Sequence, residues 1–431
     1  MNLFKIIRQN FSPLAEPNFR TYIIGQAISL IGTWLQVTAQ GWVVWEISHS
    51  EAALGVVGML ATLPLLLLSP WAGVWADRLN RRGLLIATQV AAMILAFILA
   101  ALTQFQVVQL WHVFVLSFLL GVISAIDFPA QQAFLGDLAG MSEVRKAVNL
   151  NATILQVSRM IGPAMAGWVI GVLGTATAFW LNGVSFIAVI ISLFLVRSSQ
   201  QMSTRMRGSV ASEFFDGLKF VRGQPRLQDL FLFVCAVTLF GLPVLGMMPA
   251  FASNVLQGDA QTFGLILASS GAGALVSTLV FTPLAQSRQR IGRVMSVVLV
   301  WMGTWFVLLS FARWMPWAML SVFAFSLGAP MIIATSLGLM QMLTPLEMRA
   351  RLVSLFTMIS FGLQPFAALF IGYSAESLGV VTAVLINGVL LIISSIAIMS
   401  LRRPLWSWIP KPHSQTTASI IREFAEAREA D

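Results

Sequence analysis

Two ionisable side chains stand inside long apolar runs: Asp127 within Leu110–Phe134 and Arg159 within Val148–Leu173. A charge in such a place is expensive and by default marks a functional position. At ~1.5 Å per helical residue, Asp127 lies ~10 Å inside one end of its run and Arg159 ~15 Å inside the neighbouring end of the next, a difference an arginine side chain can span. Three readings stay open: a fixed structural pair, a switchable element that binds an anion or carries a proton, or two groups that never meet. Gln36 and Gln40 are one turn apart and share a helix face that can line a polar cavity. Asn182, Gln364 and Asn387 are further cavity candidates, although each can instead bond a neighbouring helix. Glu46 and Glu376 fall near run ends, where interfacial positions are expected.

Other chemistry is missing. No nucleotide-binding loop, zinc-ligand spacing or nucleophile elbow occurs, and Ser269-Ser270-Gly271-Ala272-Gly273 lacks the lysine of a phosphate-binding loop. The lone Cys235 can form neither an internal disulfide nor a cysteine metal site, and His49, His112 and His413 are far apart. No metal, no cofactor and no enzymatic activity are expected, and ATP-driven work would need a separate subunit.

The elements that must position these groups follow from composition. The 431 residues are 58% hydrophobic and 10% charged, with a mean hydropathy of +0.84; a soluble domain carries about a quarter charged residues. A single soluble core cannot hide so much apolar surface, so the bilayer becomes a partner. About twelve runs long enough to span it extend from Tyr22–Trp45 to Val380–Leu401. The net charge of +9 is not a nucleic-acid patch, because the basic residues recur in short loops. Of the 26 Lys and Arg, all but Arg159 and Arg313 fall on one side of an even-span topology. By the positive-inside rule that side is cytoplasmic and holds both termini. Residues 1–19 lack a compact apolar stretch, so no cleaved signal is expected and the first span would direct insertion.

The longest polar interruption divides the chain into 1–196, a central loop 197–229, 230–403 and a tail 404–431. In the loop, Phe214, Phe215, Leu218 and Val221 recur at helical spacing, as in a helix on the membrane surface or one packed beneath the bundle. The halves echo each other: Glu143 and Arg145 follow the fourth run as Glu347 and Arg349, at one fixed offset, follow the tenth. The expected fold is an all-α integral membrane protein of twelve transmembrane helices in two six-helix pseudo-symmetric halves.

After the second run the chain reads Gly73-Val74-Trp75-Ala76-Asp77-Arg78-Leu79-Asn80-Arg81-Arg82. This resembles the cytoplasmic signature Gly-x-x-x-Asp-Arg-x-Gly-Arg-Arg of the major facilitator superfamily, departing at Asn80, which also tolerates a left-handed turn. Gly73 would admit a close helix, and Asp77 with Arg78, Arg81 and Arg82 can form contacts that make and break as a gate. Arginines that only set topology are the alternative. In the fifth run, Gly162-Pro163-Ala164-Met165-Ala166-Gly167 is similar to the antiporter signature of drug-efflux major facilitators, with Ala166 in place of a glycine; plain helix packing explains it as well. Asp127-Phe128-Pro129, Asn149-Leu150-Asn151 and Gly217-Leu218-Lys219-Phe220-Val221-Arg222 resemble the enterobactin-exporter-like branch.

That resemblance implies a monomeric secondary transporter of the bacterial cytoplasmic (inner) membrane that exports a small-molecule substrate, siderophore-like or a drug, in exchange for protons. The gate would be Gly73, Asp77, Arg78, Arg81, Arg82, Glu143, Arg145, Glu347 and Arg349. Asp127 and Arg159 would couple, Gly162, Pro163 and Gly167 would bend the fifth helix, and Gln36, Gln40, Asn182 and Gln364 would line the cavity. An importer or lysolipid flippase on the same scaffold, and a non-transporting receptor or assembly protein, are the alternatives.

Overall fold

The computed structural model describes residues 12–140, 143–196, 217–286 and 291–401, and every regular element among them is helical. After a short 3-10 turn at Ser12–Ala15, the chain forms α1 (Pro17–Ser48), α2 (Glu51–Arg78), α3 (Arg81–Gln104), α4 (Leu110–Ala139), α5 (Val144–Leu173) and α6 (Thr175–Leu195). There follow α7 (Pro225–Val255), α8 (Ala260–Ala285), α9 (Ile291–Ser310), α10 (Met315–Leu343), α11 (346–378) and α12 (Val380–Leu401). Ten of these are long and apolar enough to cross a membrane. The two others are α1 and α5, the helices that carry Gln26, Gln36 and Gln40 and Arg159.

Polar residues at the loops set the helix starts. Ser50 accepts from the Ala53 N–H at 3.1 Å, Asn80 from Gly83 at 3.0 Å and Asp259 from Thr262 at 2.9 Å, each satisfying an N–H that the helix leaves open. Asn80 does so from extended backbone (φ −63°, ψ 107°), so it serves as a cap and not as the left-handed turn its motif position suggested. Helices also run past the apolar stretches: α1 extends five residues before Tyr22 and α4 five beyond Phe134, because helical hydrogen bonding continues into polar surroundings where hydropathy has already fallen.

The later helices are interrupted. In α7 a π-turn at Val237–Gly241 and a 3-10 stretch at Leu242–Met247 separate two α-helical pieces. In α8 a π-turn occupies Ser277–Phe281, just before Pro283. α10 breaks between Ser326 and Ala329, and α11 between Gly362 and Gln364. Pro243, Pro330 and Pro365 stand at the second helical position after a break, where a missing N–H costs nothing.

Helices α1–α6 pack mainly among themselves, and the two groups meet along α2 with α11 and α5 with α8. Both seams are backbone-close. A methyl on Gly55 would lie 2.9 Å from Gly372 Cα, one on Gly167 2.9 Å from Gln261 Cα, and one on Gly271 would strike the backbone of Arg159 and Met160. Small residues of this kind let membrane helices make dense contact. Of the central loop, residues 197–216 lie outside the described residues. Residues 217–222 are helical, with Val221 buried and Leu218 and Phe220 against the core, so this end of the loop packs beneath the bundle. The 404–431 tail also lies outside the described residues.

Candidate functional site

Asp127 and Arg159 do not pair; the reading in which they fail to meet is the one found. Asp127, on α4, accepts hydrogen bonds from Thr88 Oγ1 at 2.5 Å and Gln89 Nε2 at 3.0 Å, both on α3. Thr88 and Gln89 are themselves buried, so the carboxyl is held by two neutral donors within the first six helices. Counted along their helices, Asp127 is ~18 Å from the end of α4 and Arg159 ~22 Å from the start of α5, deeper than the apolar runs implied.

Arg159 sits on the α5–α8 seam. Its Nη2 donates to Ser270 Oγ of α8 at 3.3 Å, and its guanidinium lies 5.3 Å from the ring centre of Trp34 on α1. Ser326, the last residue before the break in α10, donates to the same Ser270 Oγ at 2.9 Å. The Arg81–Asp137 and Lys146–Glu143 ion pairs both lie away from this seam.

The expected cavity amides are used as ties. Asn182 Nδ2 donates to Gln36 Oε1 at 2.6 Å, joining α6 to α1, and Gln40 Nε2 donates to Ser117 Oγ at 2.7 Å, joining α1 to α4. All three amides are buried. Gln364 begins the second piece of α11 and donates to Ser360 O at 3.0 Å across the break. Gly162 faces α1, where a methyl would lie 2.6 Å from Trp34 Cβ, while Gly167 faces α8. Pro163 between them leaves α5 continuous.

One end of the bundle collects the arginines. Arg81 Nη1 meets Asp137 Oδ1 at 2.8 Å, with both side chains mostly buried. Arg82 Nε and Nη2 donate to the carbonyls of Leu193 and Phe194 at 2.6 and 2.8 Å, closing the C-terminus of α6. Arg349 Nε donates to Thr344 O at 3.1 Å. Ser12 Oγ donates to Glu143 at 2.5 Å and Lys146 Nζ to Glu143 at 2.9 Å; the hydroxyl first, then the ammonium, hold this carboxyl below the usual glutamate range. The side chains of Gly73, Asp77, Arg78, Arg145 and Glu347 lie outside the described residues.

The opposite end is closed by contacts between the two helix groups. Glu376 of α11 accepts from Ser50 Oγ at 3.0 Å and from the Ala52 N–H at 3.1 Å, placing an anion at the N-terminus of α2. Asn254 of α7 reaches Glu51 at 3.4 Å, and Trp42 of α1 stacks on Phe263 of α8 with ring centres 6.2 Å apart. Glu376, expected to be merely interfacial, is a cross-link.

Such a layout, two helix bundles sharing glycine-lined seams with a charge set in one of them, has known relatives. The model of the transmembrane secretion effector family, a branch of the major facilitators, matches residues 8–423. The chain belongs to this family. It is 28% identical over 256 residues to the staphyloferrin A transporter of Staphylococcus aureus, covering 58% of this chain and 63% of that one, so the match spans less than two thirds of the relative's length. It is 21% identical to the multidrug efflux pump Tap of Mycolicibacterium fortuitum over 81% of this chain and 87% of that one. In fold it is similar to a bacterial homolog of the human lysosomal transporter Spinster, crystallised inward-facing and unoccupied. There the TM-score is 0.73 at 14% identity, over 93% of this chain and all of the other. The chain is thus a major facilitator family member whose described helices include ten long and apolar enough to cross a membrane.

Several of the contacts at these sites escape a reading of the sequence. Counting Lys and Arg alone leaves out Asp137, an acid at the end of α4 level with the Arg81 loop, which is the signal the sequence carries for this pair. Thr88, Gln89, Trp34, Ser270 and Ser326 are ordinary residues whose roles depend on partners far along the chain, and nothing local marks them.

Proposed function

We propose that the protein is a proton-coupled exporter of a small organic molecule, siderophore-like or drug-like, working by alternating access as a monomer in a bacterial cytoplasmic membrane. All twelve long helices cross the bilayer, 1–196 and 230–403 forming two six-helix halves. The arginine end, the central loop and both termini face the cytoplasm, as the distribution of basic residues favours. Adding six to each member of the α5–α8 and α2–α11 seams, counted around twelve, exchanges one seam for the other, which suits parallel repeats.

The observation that carries this reading is the separate solvation of the two intramembrane charges. Asp127 rests on neutral Thr88 and Gln89 within one half, and Arg159 on Ser270 and Trp34 at the seam between halves. Neither cancels the other. The carboxyl can take up and release a proton while the guanidinium keeps its charge where the halves move past each other. The relatives named for siderophore transport and multidrug efflux favour export.

The cytoplasmic gate comprises Gly73, Asp77, Arg78, Arg81, Arg82, Glu143, Arg145, Glu347 and Arg349, of which Arg81 and Glu143 already hold partners across helices. A deletion strain should become hypersensitive to drugs or retain siderophore. Everted vesicles should accumulate cargo when energised and lose it with a protonophore. Accumulation by energised right-side-out vesicles instead would make the protein an importer and overturn the reading. Asp77→Asn should impair transport with membrane insertion intact.

A further inference from the structure

Arg159 itself brings only donors to this seam. A guanidinium carries five N–H groups and cannot accept, and Arg159 gives one of them to Ser270. Ser270 Oγ accepts from both Arg159 and Ser326, so its oxygen is used and its own hydroxyl hydrogen remains to be given. Ser270 and Ser326 are almost fully buried, whereas Arg159 keeps some accessible surface. The ring face of Trp34 offers the cation partial relief. Within the membrane such a site lacks an acceptor bearing negative charge.

We infer that Arg159, Ser270 and Trp34 form a carboxylate seat at the α5–α8 seam, so that the exported molecule carries a carboxylate. This rests on the transport reading above and adds a cargo class to it. The planar guanidinium fork matches the two carboxylate oxygens. Trp34 limits the approach to one side, and the Ser270 hydroxyl can turn its hydrogen to the same anion. The seat draws on both helix groups, Arg159 and Trp34 from the first and Ser270 from the second. Ser326 ties it to the interruption of α10, so that occupancy would be felt where that helix bends.

The test uses the purified full chain in detergent, with thermal unfolding followed against citrate, salicylate and benzoate, against triethyl citrate as the uncharged control, and against tetraphenylphosphonium as the cationic one. At least one carboxylate should raise the wild-type midpoint while triethyl citrate does not. Arg159→Gln should lose that response and Arg159→Lys should recover part of it. Ser270→Ala, which keeps the charge, should weaken half-saturation about three- to tenfold, and this variant guards against misfolding of Arg159→Gln. A carboxylate response of full size in Arg159→Gln, a response to the cation alone, or no carboxylate response in wild type would each overturn the seat. Carboxylate binding without export by everted vesicles would refute the transport direction and leave the seat standing; export of a cation with no carboxylate response would do the reverse.

Discussion

The first six helices and the last six solve the same packing problem differently. Helices α1–α6 are continuous, although α4 and α5 contain Pro129 and Pro163, and they are stitched by side-chain bonds: α1 to α6 through Gln36–Asn182, α1 to α4 through Gln40–Ser117, α3 to α4 through Thr88 and Gln89 to Asp127. Helices α7, α8, α10 and α11 are broken, and beside the side-chain bond of Ser326 to Ser270, ties in the second group run to backbone carbonyls, as from Trp301 of α9 to Ala324 of α10 and from Ser395 of α12 to Ser296 of α9. A proline inside a helix removes one bond and costs about 3 kcal/mol where the helix is free to bend. Next to Pro129 the bonds of Asp127 hold α4 to α3, and around Pro163 the backbone lies against α1 and α8. In α7, α10 and α11 a glycine stands two or three residues before the proline, Gly241, Gly328 and Gly362, and the helix gives way. The first group is a pinned frame and the second a set of jointed legs, so a rocking motion between them would be taken up chiefly in the second.

The largest effect is expected at Asp127, the carboxyl held by Thr88 and Gln89 between α3 and α4 of the pinned frame. Asp127→Asn keeps the size and can still bond Thr88 and Gln89 but carries no proton, so proton-driven accumulation in everted vesicles should fall to background with the protein still in the membrane. Wild-type rates in that variant would remove Asp127 from the coupling.

Next, the joints. Pro330→Ala restores a helical N–H in α10, where up to about 3 kcal/mol favours a straighter helix. It should stabilise the protein to heat while slowing transport, and Pro129→Ala in α4 should change transport little. If Pro129→Ala proved as damaging as Pro330→Ala, the contrast between the halves would have no mechanical meaning.

A smaller effect is expected at the closed end, where frame and legs touch through Glu376. An anion at a helix N-terminus is worth about 1 kcal/mol, so Glu376→Gln should shift the equilibrium about fivefold towards opening. Faster hydrogen exchange in residues 50–56 would report it, and unchanged exchange would show that the seam glycines alone hold this end shut.

The contrast also shows what the sequence could tell. The helical membrane class, the sequestering of arginines and the deep placement of Asp127 and Arg159 were legible because each depends on local composition or periodicity. The pairing of those two charges was not, since it turns on the rotation of α4 and α5 about their axes, and a fraction of a turn sends Asp127 to α3 and Arg159 to α8. Gln36 and Gln40 stand one turn apart, but whether each meets water or another helix depends on Asn182 and Ser117, far along the chain. The breaks were half visible. The prolines stand out in the sequence, whereas the glycines two or three residues before them in α7, α10 and α11 are not distinctive by themselves, since α5 carries Gly162 beside Pro163 and stays continuous.

The smallest effect concerns the loop before α5, where the pinned frame meets the N-terminal turn. Ser12 and Lys146 hold the Glu143 carboxyl below its ordinary range, the hydroxyl contributing most. A carboxyl whose native value is depressed lends stability above its unfolded value, and loses it as the pH falls through the native one. Docking of Ser12–Ala15 against the start of α5 should therefore persist at neutral pH and loosen only in acid. Ser12→Ala removes the larger cause together with the tie itself, so the turn should be looser already at neutral pH and should no longer follow the protonation of Glu143. Hydrogen exchange of peptides covering 12–20, corrected for intrinsic rates, would follow this. Coincident pH profiles for variant and wild type would mean that α1 packing, not the Glu143 clamp, holds the turn in place, and the frame would then be pinned from within the membrane alone.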